Sequence, residues 1–283
     1  SACLLRYQGR LMLIDCGEGT QMTARRLGWG FKAIDVILLT HLHADHVSGL
    51  PGILHSIATA GRTEPLFIFG PPGTAQVVTG LRVVAPVLPY EVACVELESM
   101  QTELWEGLEL AATPLRHSVP CLAWRIDIPR SRQFQPERAK ELGVPQHLWR
   151  ALQQGEAIDL AGRRILPGEV LGPDRRGIRF AFVTDTLPVP ELADFVAKAD
   201  LLICEGMYGL PEETPPLEER WHLSFTEAAT LARDAGVDQL WLTHFSPALP
   251  HPEQALPIAQ AIFPGTSLGY ERRTTLLRFR DEL

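Results

Sequence analysis

The sequence contains no run of about 18 apolar residues, so no segment is long enough to cross a bilayer as a helix. It shows no secretory leader, and the expectation is a cytoplasmic protein with no membrane partner. It also has no Cys-x-x-Cys pair. Cys3, Cys16, Cys94, Cys121 and Cys204 are odd in number, scattered, and mostly set in apolar runs. That pattern reads as buried thiols in a reducing compartment and not as a disulfide framework. Positive charge is in short supply: 26 Lys and Arg against 34 Asp and Glu leave a net charge of −8. This disfavours the broad basic surface of a protein that holds nucleic acid mainly by electrostatics, while leaving room for a local basic patch. Internal repeats and low-complexity tracts are absent. What remains is a chain of 283 residues, 46% hydrophobic and 21% charged, long enough for a large core and read as one globular domain.

Against that background one stretch stands out, His41-Leu42-His43-Ala44-Asp45-His46. Imidazoles and carboxylates lose hydration when buried, so packing does not account for three histidines and an aspartate within six residues. Metal binding does. Neutral imidazole suits zinc and similar ions, and a carboxylate offsets the charge of a divalent cation. In a tight loop His41 and His43 can point one way and Asp45 and His46 another, which suggests two neighbouring metals. A polar, His-rich surface loop is the plainer alternative.

The rest of the chain alternates strand, loop and helix. Two short apolar segments at residues 3–5 and 11–14, separated by Gln8-Gly9-Arg10, signal a hairpin. The second runs into Asp15-Cys16-Gly17-Glu18-Gly19-Thr20, where Asp15 either braces a histidine or simply forms a turn. Residues 34–39 are almost continuously apolar, as in a strand covered on both faces, and lead into the histidine motif. Further strands are expected at 66–69, 93–97, 108–115, 122–128, 178–183, 201–204 and 239–243, with helices around 53–60, from 74 and over 188–199. Ser224-Phe225-Thr226-Glu227 has the form of a capping box, which predicts a helix from there to Ala235, stopped by Gly236. Residues 129–177 differ. They lack sustained apolar periodicity, and Arg130 to Arg176 carry nine Lys/Arg against six Asp/Glu, a balance of +3 within a chain of −8. They read as an insertion outside the core, facing either an anionic ligand or solvent.

Three more candidate ligands follow strands as the motif does: His117 after 108–115, Asp185 after 178–183 and His244 after 239–243. Sites in helix-covered sheets gather at the carboxyl ends of strands, so these loops can converge. Singly, His117 and His244 are ordinary hydrogen-bonded histidines; together they suggest a shared site. His222 read alone is a helix-entry residue. His55, on a helix close behind the motif, is read as a partly buried structural histidine, and His147 and His251 as exposed.

With these pieces in order, the chain resembles the metallo-β-lactamase superfamily and, within it, the ribonuclease Z family of tRNA 3′-processing endonucleases. The matching residues run from Leu13-Ile14-Asp15-Cys16-Gly17-Glu18-Gly19-Thr20-Gln21 through Thr40 and the histidine motif to His117-Ser118-Val119. They continue with Thr184-Asp185-Thr186, Ile203-Cys204-Glu205, His222 ahead of Ala228-Ala229, and Thr243-His244-Phe245-Ser246. The resemblance implies an α/β (α+β) fold, the αββα four-layer sandwich of two mixed β-sheets flanked by helices, over residues 1–283. It implies that His41, His43 and His117 bind one zinc ion and that Asp45, His46 and His244 bind a second, with Asp185 between them. Mn²⁺ or Fe²⁺ would suit the same donors. It further implies a phosphodiesterase in which metal-activated water attacks phosphorus, Asp45 orients that water and accepts its proton, and His222, held by Glu205, protonates the departing ribose oxygen. Precursor tRNA is the implied substrate and a homodimer the implied assembly.

Two departures from the family pattern matter. The numbering starts after the point where the family's first strand and its Gly-rich opening turn would be, so that piece is unobserved or absent. The family's protruding arm, with its Gly-Pro pair and lysines, corresponds to residues 142–156, which contain no Gly-Pro and one basic residue, Arg150. Phosphate neutralisation supplies most non-specific nucleic-acid affinity, so a reduced arm predicts weaker tRNA binding or another substrate. The alternative is therefore a dizinc hydrolase of small esters, sulfates, lactones or cyclic phosphodiesters without RNA activity. A non-catalytic binding protein ranks last, because every candidate ligand is in place.

Overall fold

The short apolar runs at the start of the chain pair as an antiparallel hairpin, β1 (Cys3–Tyr7) with β2 (Arg10–Ile14), joined by the two-residue turn Gln8-Gly9. The structure, a computed structural model, describes residues 1–105 and 107–280. After β2 come α1 (Thr20–Leu27), β3 (Ile34–Leu38), α2 (Ala44–Val47), α3 (Leu50–Thr59), β4 (Leu66–Gly70), α4 (Thr74–Leu81) and β5 (Val92–Glu96). Strands β2 to β5 pair in parallel in the order β1-β2-β3-β4-β5. Parallel neighbours need crossover connections, which α1, the α2–α3 segment and α4 supply. In β3, Ile34, Val36, Ile37 and Leu38 are all buried, as a run without alternation requires. Leu11, Leu13, Ile34 and Ile37 pack with Leu50, Ile53, Leu54 and Ile57 of α3 and Val78 of α4. Each fully buried side chain of this size contributes about 1.5–3 kcal/mol of transfer free energy.

The next strands, β6 (Met100–Trp105), β7 (Leu108–Leu115) and β8 (Cys121–Arg130), form an antiparallel meander. The chain divides into two compact units, and the smaller comprises residues 128–178 with those from 278 onward. It contains α5 (Pro136–Glu141), α6 (Trp149–Gln153) and a short hairpin, β9 (Ile158–Leu160) with β10 (Arg163–Ile165). Ala139, Val144, Leu152, Ile158, Ile165 and Val170 form a core of its own. Sequence periodicity did not reveal that core because each short element gives it only one or two residues.

The larger unit resumes at Arg179, within β11 (Arg175–Val183), and continues with α7 (Leu192–Phe195), β12 (Leu201–Glu205), α8 (Phe225–Asp234), β13 (Leu240–Thr243), α9 (Pro252–Ile262) and β14 (Thr266–Leu268). The second sheet has the order β14-β13-β12-β11-β8-β7-β6, with β11 to β14 parallel and β6 to β8 antiparallel. Leu192 of α7, Phe225, Ala228, Ala229 and Ala232 of α8, and Ala255 and Ala259 of α9 cover Leu202, Cys204, Leu240 and Leu242 of this sheet. Two mixed sheets, each with its own helices, are the α/β architecture the sequence implied. The capping box forms as expected: Ser224 Oγ accepts from Glu227 N–H (3.3 Å) and Glu227 Oε2 accepts from Ser224 N–H (2.8 Å). The helix expected over 188–199 is shorter, only Leu192–Phe195. Pro188 and Pro190 fix a non-helical lead-in, and Lys198 at φ 58° turns the chain out. Among the described residues no helix is long and apolar enough to cross a membrane.

Candidate metal centre

The site begins with Asp15, at the end of β2 and fully buried. Its Oδ1 accepts the Thr40 backbone N–H (2.8 Å), and its Oδ2 accepts the Thr40 hydroxyl (2.8 Å) and the His46 Nδ1–H (2.7 Å). Of the two readings left open for this residue, the structure shows the brace. The contact leaves His46 Nε2 as the nitrogen free to bind. The glycines beside Asp15 allow the close approach. A Cβ on Gly17 would lie 2.1 Å from Asp45 O, and one on Gly49 would lie 2.2 Å from Gly17 O. Backbone bonds from Cys16 N to His46 O (2.7 Å) and from Gly49 N to Cys16 O (2.8 Å) join the two loops. Oriented ligands bind metal more tightly than free ones, so Asp15→Ala is expected to weaken metal affinity about 10- to 100-fold. Chelator competition would measure this, and an unchanged affinity would remove the brace.

The loops after β3, β7, β11 and β13 converge on two groups of donor atoms. In the first, His43 Nδ1 lies 3.1 Å from His41 Nε2 and 3.3 Å from His117 Nε2. Asp185 Oδ2 faces this group, 3.5 Å from His41 Nε2 and 3.9 Å from His117 Nε2. In the second, His46 Nε2 and His244 Nε2 are 3.3 Å apart, and Asp45 Oδ2 lies 3.1 and 3.2 Å from them. Asp185 Oδ1 faces this second group, 3.6 Å from His46 Nε2 and 3.5 Å from His244 Nε2. The two oxygens of one carboxylate thus address separate clusters. His117 Nδ1 donates to the Trp221 carbonyl (3.2 Å), so its Nε2 is turned inward.

The electrostatics suit cation binding. Burial, with His46 nearby, pushes the His41 imidazole down to about 3, so it is a neutral donor at pH 7. Burial likewise lowers His117. For Asp185, burial would raise the carboxyl, but His244, His46 and His41 outweigh it and hold it below its ordinary value. The hydrogen bond from His244, with the charges nearby, holds Asp45 well below the carboxylate range, and its side chain is 61% exposed. For His46 burial acts downward, yet Asp15, Asp185 and Asp45 together raise it. Nitrogen lone pairs converging with carboxylates in this way form a divalent metal site. The backbone is bent to build it: Asp15, Asp185 and His244 have φ of 55°, 24° and 56°. Left-handed backbone at non-glycine residues costs about 1–3 kcal/mol each and persists where surrounding contacts hold it.

A further cluster of donor atoms joins Asp185 and His244 to Glu205 and His222. Glu205, fully buried at the end of β12, accepts from Thr186 N–H (2.6 Å) and Leu223 N–H (3.1 Å) at Oε1 and from His222 Nδ1–H (2.8 Å) at Oε2. Burial pushes the Glu205 carboxyl well above its ordinary value, and Asp185 adds to this. Burial also lowers the His222 imidazole. Arg220, 6% exposed, donates to the His222 carbonyl and grips Glu227 of the capping box with both terminal nitrogens (2.8 and 2.6 Å). Neither Arg220 nor Trp221 stood out in the sequence: Trp221 acts here through a backbone carbonyl that any residue carries, and Arg220 pairs with Glu227 seven residues away, which no sequence pattern marks. His55 is exposed and not partly buried as expected, while His147 and His251 are exposed as expected.

Residues 10–135 match the family profile described as Beta-lactamase superfamily domain. The ribonuclease Z of Clostridium acetobutylicum is 44% identical over 99% of this chain and 93% of its own length, and that of Lachnospira eligens is 44% identical over 100% and 93%. Among solved structures, human tRNase Z, short form, superposes with a TM-score of 0.65 at 22% identity, covering 96% of this chain and 90% of its own. Bacillus subtilis YhfI, a metallo-β-lactamase fold protein, gives a TM-score of 0.65 at 17% identity over 96% and 88%. The structural likenesses carry the fold, and identity at this level across nearly the full length of both ribonucleases carries the family: the chain belongs to the ribonuclease Z family of the metallo-β-lactamase superfamily.

Proposed function

We propose that the chain is a zinc-dependent endoribonuclease that removes the 3′ trailer of precursor tRNA by hydrolysing one phosphodiester. The observation that carries this reading, beyond the family, is Asp185, whose two oxygens face separate donor groups. His41, His43 and His117 would hold one ion, Asp45, His46 and His244 a second, and Asp185 would contact both. Such ions supply Lewis acidity that activates water at neutral pH and offsets charge on phosphoryl oxygens. Asp45, at the open side of the site, orients the attacking water and takes its proton. His222 gives a proton to the departing ribose 3′ oxygen, and Glu205 fixes the ring that does so.

Residues 1–283 form, in this reading, one metallo-β-lactamase domain in which 129–177 are an insertion acting as a reduced substrate-binding arm. Arg138, Arg150 and Arg164 are exposed on it and placed to meet phosphate, while the exposed Arg163 is paired with Glu169 (2.6 Å). Zinc is the assigned metal, with Mn²⁺ or Fe²⁺ compatible with the same donors. A cytoplasmic homodimer accompanies the assignment.

One observation favours a second reading, a dizinc hydrolase of small esters, sulfates, lactones or cyclic phosphodiesters: residues 142–156 hold one basic residue, Arg150. The assay that separates the two compares precursor tRNA bearing a 3′ trailer with a small aryl phosphodiester at low salt. Cleavage of the precursor at the trailer junction is expected; an intact precursor beside a hydrolysed aryl ester would shift the assignment to the small-molecule enzyme.

A further inference from the structure

We infer that the indole of Trp221 is a stacking platform for the base of the nucleotide on the 5′ side of the scissile phosphate. The inference rests on the endoribonuclease reading above. Tryptophan is large and apolar and is mostly buried on average. Trp124 and Trp241 follow that pattern at 0% and 6% exposure, whereas Trp221 is 45% exposed. Its exposure does not come from a loose backbone. The Trp221 carbonyl accepts from His117 Nδ1, the preceding Arg220 is clamped to Glu227, and the following His222 is bonded to Glu205. Three adjacent residues are therefore held from three directions while one ring faces solvent. A ring carried on a backbone fixed in advance loses less entropy when a ligand covers it than one on a loose loop.

The ring also lies in the right place. Its centroid is 6.4 Å from that of His117, with the planes at 86°, so the two rings do not stack. Among the described residues no other aromatic ring pairs with Trp221. Its chain neighbour His222 is assigned to protonate the ribose 3′ oxygen that leaves, and that oxygen belongs to the 5′ nucleotide. The base attached to that ribose is then the part of the substrate nearest the indole. The local charge favours a base over a phosphate as the partner: exposed Glu218 and Glu219 precede Trp221 closely and repel a phosphodiester backbone. Stacking on an aromatic face carries no charge requirement and tolerates any base, which suits an enzyme that processes many RNAs of differing sequence.

The test is a cycle of two changes on the metal-loaded full chain: Trp221→Ala in the protein, and an abasic nucleotide on the 5′ side of the cleavage site in a trailer-bearing precursor RNA. On intact RNA, Trp221→Ala is expected to lower kcat/KM about 5- to 150-fold, the range that base–aromatic stacking gives, and Trp221→Phe to keep most of the activity. On abasic RNA the wild type should drop by a similar factor, and the protein change should cost little more. Equal losses on both RNAs would overturn the stacking, as would loss of bound metal in Trp221→Ala, which would assign the side chain to supporting His117. Wild-type protein that cleaves precursor no faster than Trp221→Ala removes the platform alone. Wild-type protein that leaves the precursor intact removes the endoribonuclease reading and the platform together.

Discussion

Replacing Asp185 by asparagine is expected to reduce turnover about 10³-fold or more while the protein remains folded. The carboxylate is 4% exposed and lies within 3.5 to 3.9 Å of nitrogens from five imidazoles, those of His41, His46, His117, His222 and His244. Asparagine keeps the shape but removes the charge that all five rings surround, and one of its two terminal atoms becomes an N–H donor that cannot bind a cation. A shared ligand would thus be lost from both donor groups at once. The Lewis-acid contribution of bound ions is worth several kcal/mol, and 4 kcal/mol is about 10³ in rate at 1.36 kcal/mol per decade. Metal analysis of the purified variant should show fewer ions per chain than the wild type. Thermal unfolding of the metal-stripped proteins separates a site effect from a folding effect, because stripped variant and stripped wild type should unfold within a few degrees. Turnover within tenfold of wild type, with metal content unchanged, would deny Asp185 its place between the groups.

The residues that read most directly from the sequence were those whose chemistry is hard to bury. His41 to His46 could not be explained by packing, and His117, Asp185 and His244 recurred after strands, so position and residue type together pointed to one site. The resemblance placed Asp185 between the two ligand sets; what the sequence does not carry is the geometry, one oxygen facing each cluster from a residue at φ 24°. Asp15 was ambiguous for a related reason: a turn and a brace ask for the same residue at the same strand end, and only the 2.7 Å contact to His46 separates them. Trp221 was missed because its contact to His117 runs through a main-chain carbonyl, which carries no sequence signal, and Arg220 because its partners, the His222 carbonyl and the Glu227 carboxylate, are set by the fold of the loop. The helix α9 follows the same logic at the level of fold, since Pro257 within it breaks the pattern by which a helix is recognised. The small unit shows the limit most clearly. Its core residues are spread over short elements, and periodicity needs several turns or several alternations before it can be seen.

His222→Ala is expected to slow RNA cleavage about 10²- to 10⁴-fold, the usual worth of a general acid, without changing metal content. The ring stands beside the first and second donor groups without belonging to either: it stacks on His244 with centroids 5.6 Å apart and lies 5.3 Å from His117. Its Nδ1–H is committed to Glu205, which is itself fixed by the backbone N–H groups of Thr186 and Leu223. With Nδ1–H so held, the ring acts as an acid from its doubly protonated form, which gives up the Nε2 proton and returns to the neutral ring, and the imidazole is 20% exposed, enough to meet a substrate oxygen. The decisive measurement is the dependence on leaving group. A ribose 3′ oxygen is strongly basic as it departs and needs a proton, whereas an acidic phenol departs as the phenolate. The loss caused by His222→Ala should therefore shrink steadily as the leaving group becomes more acidic, and Glu205→Gln should show the same trend with a smaller slope because it loosens the ring without removing it. A loss of equal size for every leaving group would mean that His222 shapes the site without donating a proton. A loss that tracks metal content would instead place it among the ligands, in the cluster it shares with Asp185, Glu205 and His244.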